Sequence, residues 1–322
     1  MYLTSCIMPY YSLIYLSVLS SFFYHVTGQN NIVNQSSINN NTNDKVISKS
    51  NGPKLSPISD VELQRITEDL FGRNSCCIYK NITTSYQGWI KGDNITDSAP
   101  KPLLRVSSNV FSHRTIKMLT DLFDNYELDI RHREITTREE SKEEDDFVDA
   151  LASSDITKTV MNFLAAKGYF AMNPETYKIV LKSIWFQTYS RIKGSIGSSG
   201  FEHVFLVEKK KDNSIVGLHN WIFFAKQESL NNLNYLGYGR KVLFDDKAAL
   251  AKLHFNYKER YKASTMFIGT LPELDIAVYT LCFYARPNAK CRISFAGHKF
   301  NIQTYTWQRD NQNFVGAAFP LV

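Results

Sequence analysis

SSGFEHVFLVEKKKDNSIVGLHNWIFF, running from Ser198 to Phe224, holds two of the chain's seven histidines, His203 and His219, in apolar segments on either side of a lysine-rich polar turn, Lys209 to Ser214. Taken as strands, the alternation puts Phe201, His203, Phe205 and Val207 on one face and Glu202, Val204, Leu206 and Glu208 on the other. A hairpin is the economical expectation, because its turn would fold the second strand back and bring the two histidines onto neighbouring strands. Two imidazoles side by side make an acid–base pair near neutral pH, since an unperturbed histidine titrates near ~6.5.

Outward from this stretch, charge and periodicity divide the chain. Residues 203–322 carry 16 Lys+Arg against 9 Asp+Glu, so essentially all of the net charge of +6 lies with the histidines. That asymmetry suits a polyanionic substrate, which cationic side chains attract. The residues before it show helical spacing. Ser59 and Glu62 form a capping box ahead of Leu63, Ile66 and Leu70, and Gly72 closes that helix. Ile116, Leu119, Leu122 and Phe123 repeat the period; a further helix opens at Asp155, and another at Asn173-Pro174 carries Tyr177, Leu181, Ile184 and Trp185 as a core stripe. Beyond the histidines, a helix capped at Thr270 with Pro272 in its first turn is expected, then strands over Arg292–Ala296 and Phe300–Thr306 about a turn containing His298. The fold class is therefore α+β: a mainly helical first half, and a strand-rich second half with antiparallel sheets that carries the chemistry.

The amino-terminal end reads as an export signal. Leu3 to Val26 is mostly apolar and ends in small residues before Gln29, which predicts a signal peptide over 1–28, with an uncleaved anchor as the rival. Residues 29–58 are rich in Asn and Ser and lack aromatics, the composition of a disordered linker, so the folded domain is placed at 59–322, with a helical lobe over 59–200 and a catalytic lobe over 201–322. Sequons at Asn34, Asn40, Asn81 and Asn94 agree with a secreted, glycosylated protein. Cys76, Cys77, Cys282 and Cys291 are left after cleavage; Cys282 with Cys291 is one candidate bridge, and four buried thiols is the alternative. No spacing has the form of a structural zinc site.

The words Gly200-Phe201-Glu202-His203-Val204-Phe205, Leu218-His219-Asn220-Trp221-Ile222 and Phe267-Ile268-Gly269-Thr270 resemble the EndoU family of uridylate-preferring endoribonucleases. So do Tyr189-Ser190-Arg191, Tyr235-Leu236-Gly237-Tyr238, Ala285-Arg286-Pro287 and Gln303-Thr304-Tyr305-Thr306-Trp307, in the same order, and the likeness covers about residues 58 to 322. The resemblance implies cleavage of single-stranded RNA at uridines by the ribose 2′-hydroxyl, leaving 2′,3′-cyclic phosphate and 5′-hydroxyl ends. It assigns His219 as base, His203 as acid and Lys262 as the cation for the phosphorane, with Lys258 as the alternative lysine. Ser264 and Thr265 are expected at the uracil edge or phosphate, and Thr304, Tyr305 and Thr306 at the ribose or base. It also implies Mn²⁺, for which Glu202 and Glu208 are the matching acids, either as direct ligands or as groups that orient the loops. A monomer acting on RNA and not DNA is expected. The competing readings are a secreted RNA- or glycan-binding protein with little turnover on the same scaffold, and a carboxylate-assisted metallohydrolase.

Overall fold

The computed structural model describes residues 55–74, 76–92, 95–191 and 196–322. The expected signal segment, most of the linker, the sequons at Asn34, Asn40 and Asn94, and the side chains of Cys76 and Cys77 lie outside the described residues. Packed structure begins just ahead of Ser59: the Ser56 amide donates to the Lys167 carbonyl at 2.9 Å and Ile58 is buried.

Local signals build the first half. Helix α1 (Asp60–Gly72) opens on the expected capping box, with the Ser59 hydroxyl accepting from the Glu62 amide and the Glu62 carboxylate accepting from the Ser59 amide. Leu63, Ile66 and Leu70 fall on its buried face. There follow α2 (Cys76–Lys80), the paired strands β1 (Ile82–Thr84) and β2 (Leu104–Val106), and helices α3 (Ser108–Phe111), α4 (Arg114–Asp121), α5 (Arg138–Ser153) and α6 (Asp155–Ala166). In α7 (Pro174–Phe186), Asn173 accepts from the Thr176 amide and Pro174 fills the first turn, where its missing N–H costs nothing. Its aromatic stripe is core, as its period indicates; the Trp185 ring is fully buried and its Nε1–H donates to the Thr280 hydroxyl at 2.9 Å.

The second half runs α8 (Gly200–Phe205), β3 (Val207–Lys209), β4 (Ile215–Gly217), α9 (Trp221–Ser229), β5 (Leu233–Phe244), β6 (Ala248–Tyr257), β7 (Arg260–Ile268), α10 (Pro272–Ala285), β8 (Lys290–Phe295), β9 (His298–Arg309) and β10 (Gln312–Leu321). Its sheets are all antiparallel, ordered β5-β6-β7, β10-β9-β8 and β3-β4. The architecture is the expected α+β one. A single apolar core joins the two halves, from Leu63 of α1 to Ala318 of β10, and a Cys282–Cys291 disulfide ties the end of α10 to β8.

Three expectations are corrected, the smallest being that His298 is the first residue of β9, paired with Phe295, and not part of the turn. His203 does not stand on a strand: Ser199 caps a six-residue helix, its hydroxyl accepting from the Glu202 amide at 3.1 Å, and His203 lies in that helix's last turn. The helix is too short to display a 3.6-residue period, and Phe201, Val204 and Phe205 are all buried, so its sequence alternates like a strand. The hairpin exists as β3 and β4, but the histidines flank it rather than sit on it. The third correction concerns α10, whose cap is Leu271 and not Thr270; the Thr270 carbonyl accepts from the buried Trp221 indole at 2.8 Å.

Candidate active site

Main-chain bonds bring the two histidines together. The His219 amide donates to the Val204 carbonyl at 2.8 Å, one residue beyond His203, and the Leu218 amide donates to the Leu206 carbonyl at 2.7 Å. Gly217 makes this approach possible. Its φ is +80°, and a Cβ there would stand 2.1 Å from the His203 carbonyl oxygen. Leu218 also takes a positive φ, 60°, which a branched side chain adopts only under constraint. Asn220 then starts α9, its side chain accepting from the Ile222 and Phe223 amides.

Each imidazole is held by Nδ1. The Nδ1–H of His203 donates to Glu208 Oε2 at 2.6 Å, while the other carboxylate oxygen accepts from the Ser198 hydroxyl. Arg191 Nε lies 3.5 Å from the same carboxylate and donates to Ser198 Oγ at 2.7 Å. Glu208 is fully buried; burial alone would raise its pKa, and the bonds and charges of His203, Arg191 and Ser198 hold it below the usual carboxylate range. Burial lowers the His203 pKa, and the Glu208 charge opposes that shift.

His219 sits deeper, 7 % exposed. Its Nδ1 lies 2.9 Å from the Thr265 carbonyl and 2.9 Å from Ser264 Oγ, whose own proton goes to the Leu218 carbonyl at 2.8 Å. A carbonyl can only accept, so Nδ1 carries the proton and Nε2 presents a lone pair. Burial, together with the positive charges of His203 and Lys262, lowers the His219 pKa to about 3 against the Thr265 bond, so the ring is neutral at physiological pH. One face of the ring stacks on Phe319, centroids 4.6 Å apart and planes within 14°.

Lys262 lies on β7, two residues from Ser264 and on the same face. Its charge is felt by both imidazoles, and burial and the nearby Lys210 lower its own pKa. A cavity of about 710 Å³ opens beside His203, Arg191 and Lys210.

The structure therefore brings together His203, His219, Lys262 and Ser264. Lys258 is on the β6–β7 turn. Ser264 is spent on positioning His219, and Thr265 contributes its carbonyl. Thr304 is buried and donates to the Arg286 carbonyl at 2.8 Å, and the Thr306 amide donates to Asn288 at 2.7 Å. Tyr305 is half exposed and its ring lies 6.3 Å from that of Phe319. Glu208 does not face away from His203 as strand alternation implied, since helix geometry at His203 and a bend at Leu206 turn the carboxylate back onto the ring. Glu202 is wholly buried, its pKa raised well above the usual range by desolvation and then by the Glu208 charge. Arg191, Ser198 and Phe319 were given no role by the sequence; no local pattern marks Phe319, which reaches His219 only through the pairing of β10 with β9.

Two neighbouring imidazoles bonded through Nδ1, a desolvated lysine and a cationic cavity beside His203 are the kinds of group that acid–base cleavage of a phosphodiester uses. Comparison with known proteins agrees. Residues 62–320 match the model of the family "Endoribonuclease XendoU". The chain is 31% identical to uridylate-specific endoribonuclease C of Xenopus laevis over 274 residues, 82% of this chain and 90% of that protein. It is 33% identical to the uridylate-specific endoribonuclease EndoU of Drosophila melanogaster, covering 70% of this chain and 71% of that one. The solved structure of XendoU, described as a splicing-independent snoRNA-processing endoribonuclease, superposes with a TM-score of 0.67 at 31% identity over 81% of this chain and 96% of that chain. This chain belongs to the EndoU/XendoU family of uridylate-specific endoribonucleases and is an enzyme of that class.

Proposed function

We propose that this enzyme cleaves single-stranded RNA on the 3′ side of uridine by attack of the ribose 2′-hydroxyl on the adjacent phosphorus. The observation that carries this is the pair of tethered Nδ1 atoms, which fixes one ring as a neutral base and leaves the other a carboxylate-supported acid. His219 Nε2 takes the 2′-hydroxyl proton as the O2′–P bond forms. The P–O5′ bond breaks as the His203 imidazolium, held by Glu208, delivers its Nε2 proton to the leaving oxygen. Lys262 neutralises the charge on the non-bridging oxygens; its removal is expected to cost about 10²–10³ in kcat. The products are a 2′,3′-cyclic phosphate and a 5′-hydroxyl, and the need for a 2′-hydroxyl excludes DNA as substrate. The aromatic run from His219 through Phe319 to Tyr305 offers a face on which the base stacks.

The expected Mn²⁺ receives no step. Both oxygens of Glu208 are engaged, Glu202 is buried with its pKa raised by desolvation, and among the described residues no three His, Cys, Asp or Glu side chains are grouped to hold a metal ion. Export is supported by the apolar amino-terminal run and by the disulfide, which persists in an oxidising compartment. Among the described residues, no helix is long and apolar enough to cross a membrane.

The test is a uridine-containing oligonucleotide beside its 2′-deoxyuridine counterpart, with end-group analysis of the products. Cyclic phosphate from the first and no cleavage of the second are expected. Equal cleavage of both, or 5′-phosphate ends, overturns the mechanism.

A further inference from the structure

The cavity beside His203 has neighbours. Asp212 lines both the 710 Å³ cavity and a second of about 430 Å³ that reaches Lys258, Arg260 and Tyr261. Lys258 and Glu259 in turn line a third, about 580 Å³, floored by Asn231, Asn232, Asn234 and Asn256. Sharing these residues, the three cavities are neighbours, in order from His203 past the tip of the β6–β7 hairpin to a basin of amides.

The lining has a consistent chemistry. Lys210, Lys211, Lys258 and Arg260 are in no ion pair among the described residues; the Lys258 ammonium lies 5.6 Å from the Tyr257 ring, and Arg260 donates from Nη1 to the Lys258 carbonyl at 2.9 Å while its buried Nε–H has no acceptor. Arg260, Lys262 and Ser264 alternate onto one face of β7, so a row of cations about 7 Å apart leads from the catalytic lysine toward the turn. Two acids also face these cavities: Asp212, whose carboxylate is occupied by the Ser214 amide and hydroxyl, and Glu259. The turn itself is strained. Lys258 and Glu259 take φ of 46° and 66°, the two-residue hairpin geometry that Asn and Gly normally fill. The Lys258 amide is anchored on the Asn232 carbonyl at 2.8 Å, holding the turn against the amide basin. This geometry holds Lys258 and Glu259 at the tip of the hairpin, where both line the second and third cavities.

We propose that these three cavities form an extended binding track for single-stranded RNA, in which Lys258 and Arg260 hold phosphates distal to the cleaved bond and Asn231, Asn232, Asn234 and Asn256 meet the edges of the bases beyond. Free cations supply affinity independent of sequence, and amides both donate to and accept from base edges and ribose hydroxyls. The track rests on the endoribonuclease reading and extends it: the enzyme selects uridine at the cut but selects length and single-strandedness over the turn.

A length series tests it. Substrates carry one ribouridine in deoxy chains of 2, 4, 8 and 12 nucleotides, and kcat/KM is measured from 0.05 to 0.4 M salt for wild type, for the double variant Lys258→Ala/Arg260→Ala, and for Lys258→Gly, which removes the charge while suiting the positive φ. Each phosphate contact contributes a log–log salt slope of ~0.7 on single strands, or about fivefold at 0.1 M relative to 1 M salt. The wild-type enzyme is expected to prefer the 12-mer over the dinucleotide. In the double variant that preference falls by about 25-fold at 0.1 M salt, through KM, and the slope on the 12-mer drops by ~1.4. Lys258→Gly loses about half of each in logarithmic terms without loss of melting temperature. A wild type that cleaves but shows no length preference overturns the track, as does a preference that both variants retain. Failure to cleave any ribouridine substrate overturns the endoribonuclease reading instead.

Discussion

Replacing Glu208 by Gln removes one charge from the acid end of the site and keeps its shape. In the folded protein, burial pushes the His203 pKa below 6.5 while the Glu208 charge and its 2.6 Å hydrogen bond push it up. A hydrogen bond to a charged group contributes ~1.5–3 kcal/mol, so losing the carboxylate removes that support from the imidazolium and lowers the His203 pKa further. The sign follows from its role. An acid must be protonated, so activity falls as pH rises through the His203 pKa, and Glu208→Gln moves that descending limb to lower pH. At pH 7, on the limb, kcat/KM is expected to drop about tenfold to a hundredfold, and on the acid plateau the loss shrinks. The assay is kcat/KM on a uridine oligonucleotide from pH 4 to 9, with melting temperatures at each pH to show that the variant is folded. A loss of the same size at every pH refutes the assignment, because Glu208 would then act by packing alone. A shift confined to the ascending limb would make His203 the base.

Three further outcomes follow from the same geometry. Gly217→Ala places a Cβ 2.1 Å from the His203 carbonyl at a φ of +80°, and is expected to cost at least about 2 kcal/mol and several degrees of melting temperature, together with activity, in calorimetry and turnover. Phe319→Leu keeps an apolar side chain but loses the stack on His219 and the base platform, so KM for uridine substrates should rise about tenfold while binding of an abasic analogue changes little; equal effects on both ligands would deny Phe319 a role in stacking. His219→Phe should abolish cleavage and flatten the acid sensitivity of folding. The folded pKa of His219, about 3, lies below its unfolded value near ~6.5, so its contribution to stability is full above that value and is lost as pH falls toward 3. Melting curves at pH 4 and 7 check this, and a wild-type-like pH dependence in the variant counts against it.

The sequence showed most where structure is local. The helices α1 and α7 could be placed from a capping side chain and a stripe of apolar residues, because both signals act within one or two turns. The six residues of α8 carry no such record. Every apolar side chain in it is buried, and what makes it helical is the Ser199 cap and the fit of Gly200 against β10, where a Cβ would meet the Val315 carbonyl at 2.6 Å. Spacing alone placed Glu208 on the wrong side of His203 for the same reason, and it was the ordered family words, not the alternation, that singled out His203 and His219 as a pair. Phe319 and Arg191 are tertiary partners, the first arriving by strand register and the second by its reach to Glu208 and Ser198.

That pattern has a consequence for how the site works. Neither His203 nor His219 sits on the long strands of the β5-β6-β7 or β10-β9-β8 sheets; each sits at a short piece of chain between longer elements. His203 ends a helix of less than two turns, and His219 follows a link with two consecutive positive φ values. Short pieces are free to place a side chain where a regular strand would not, but they hold it only if backbone and ring are both tied. Here the Val204–His219 main-chain bond ties the backbones to one another, and Glu208 and Thr265 tie the rings. Loosening either kind of tie should therefore lower kcat before it lowers stability, and the two can be told apart: a ring tie shifts the pH profile, whereas a backbone tie scales the rate equally at every pH.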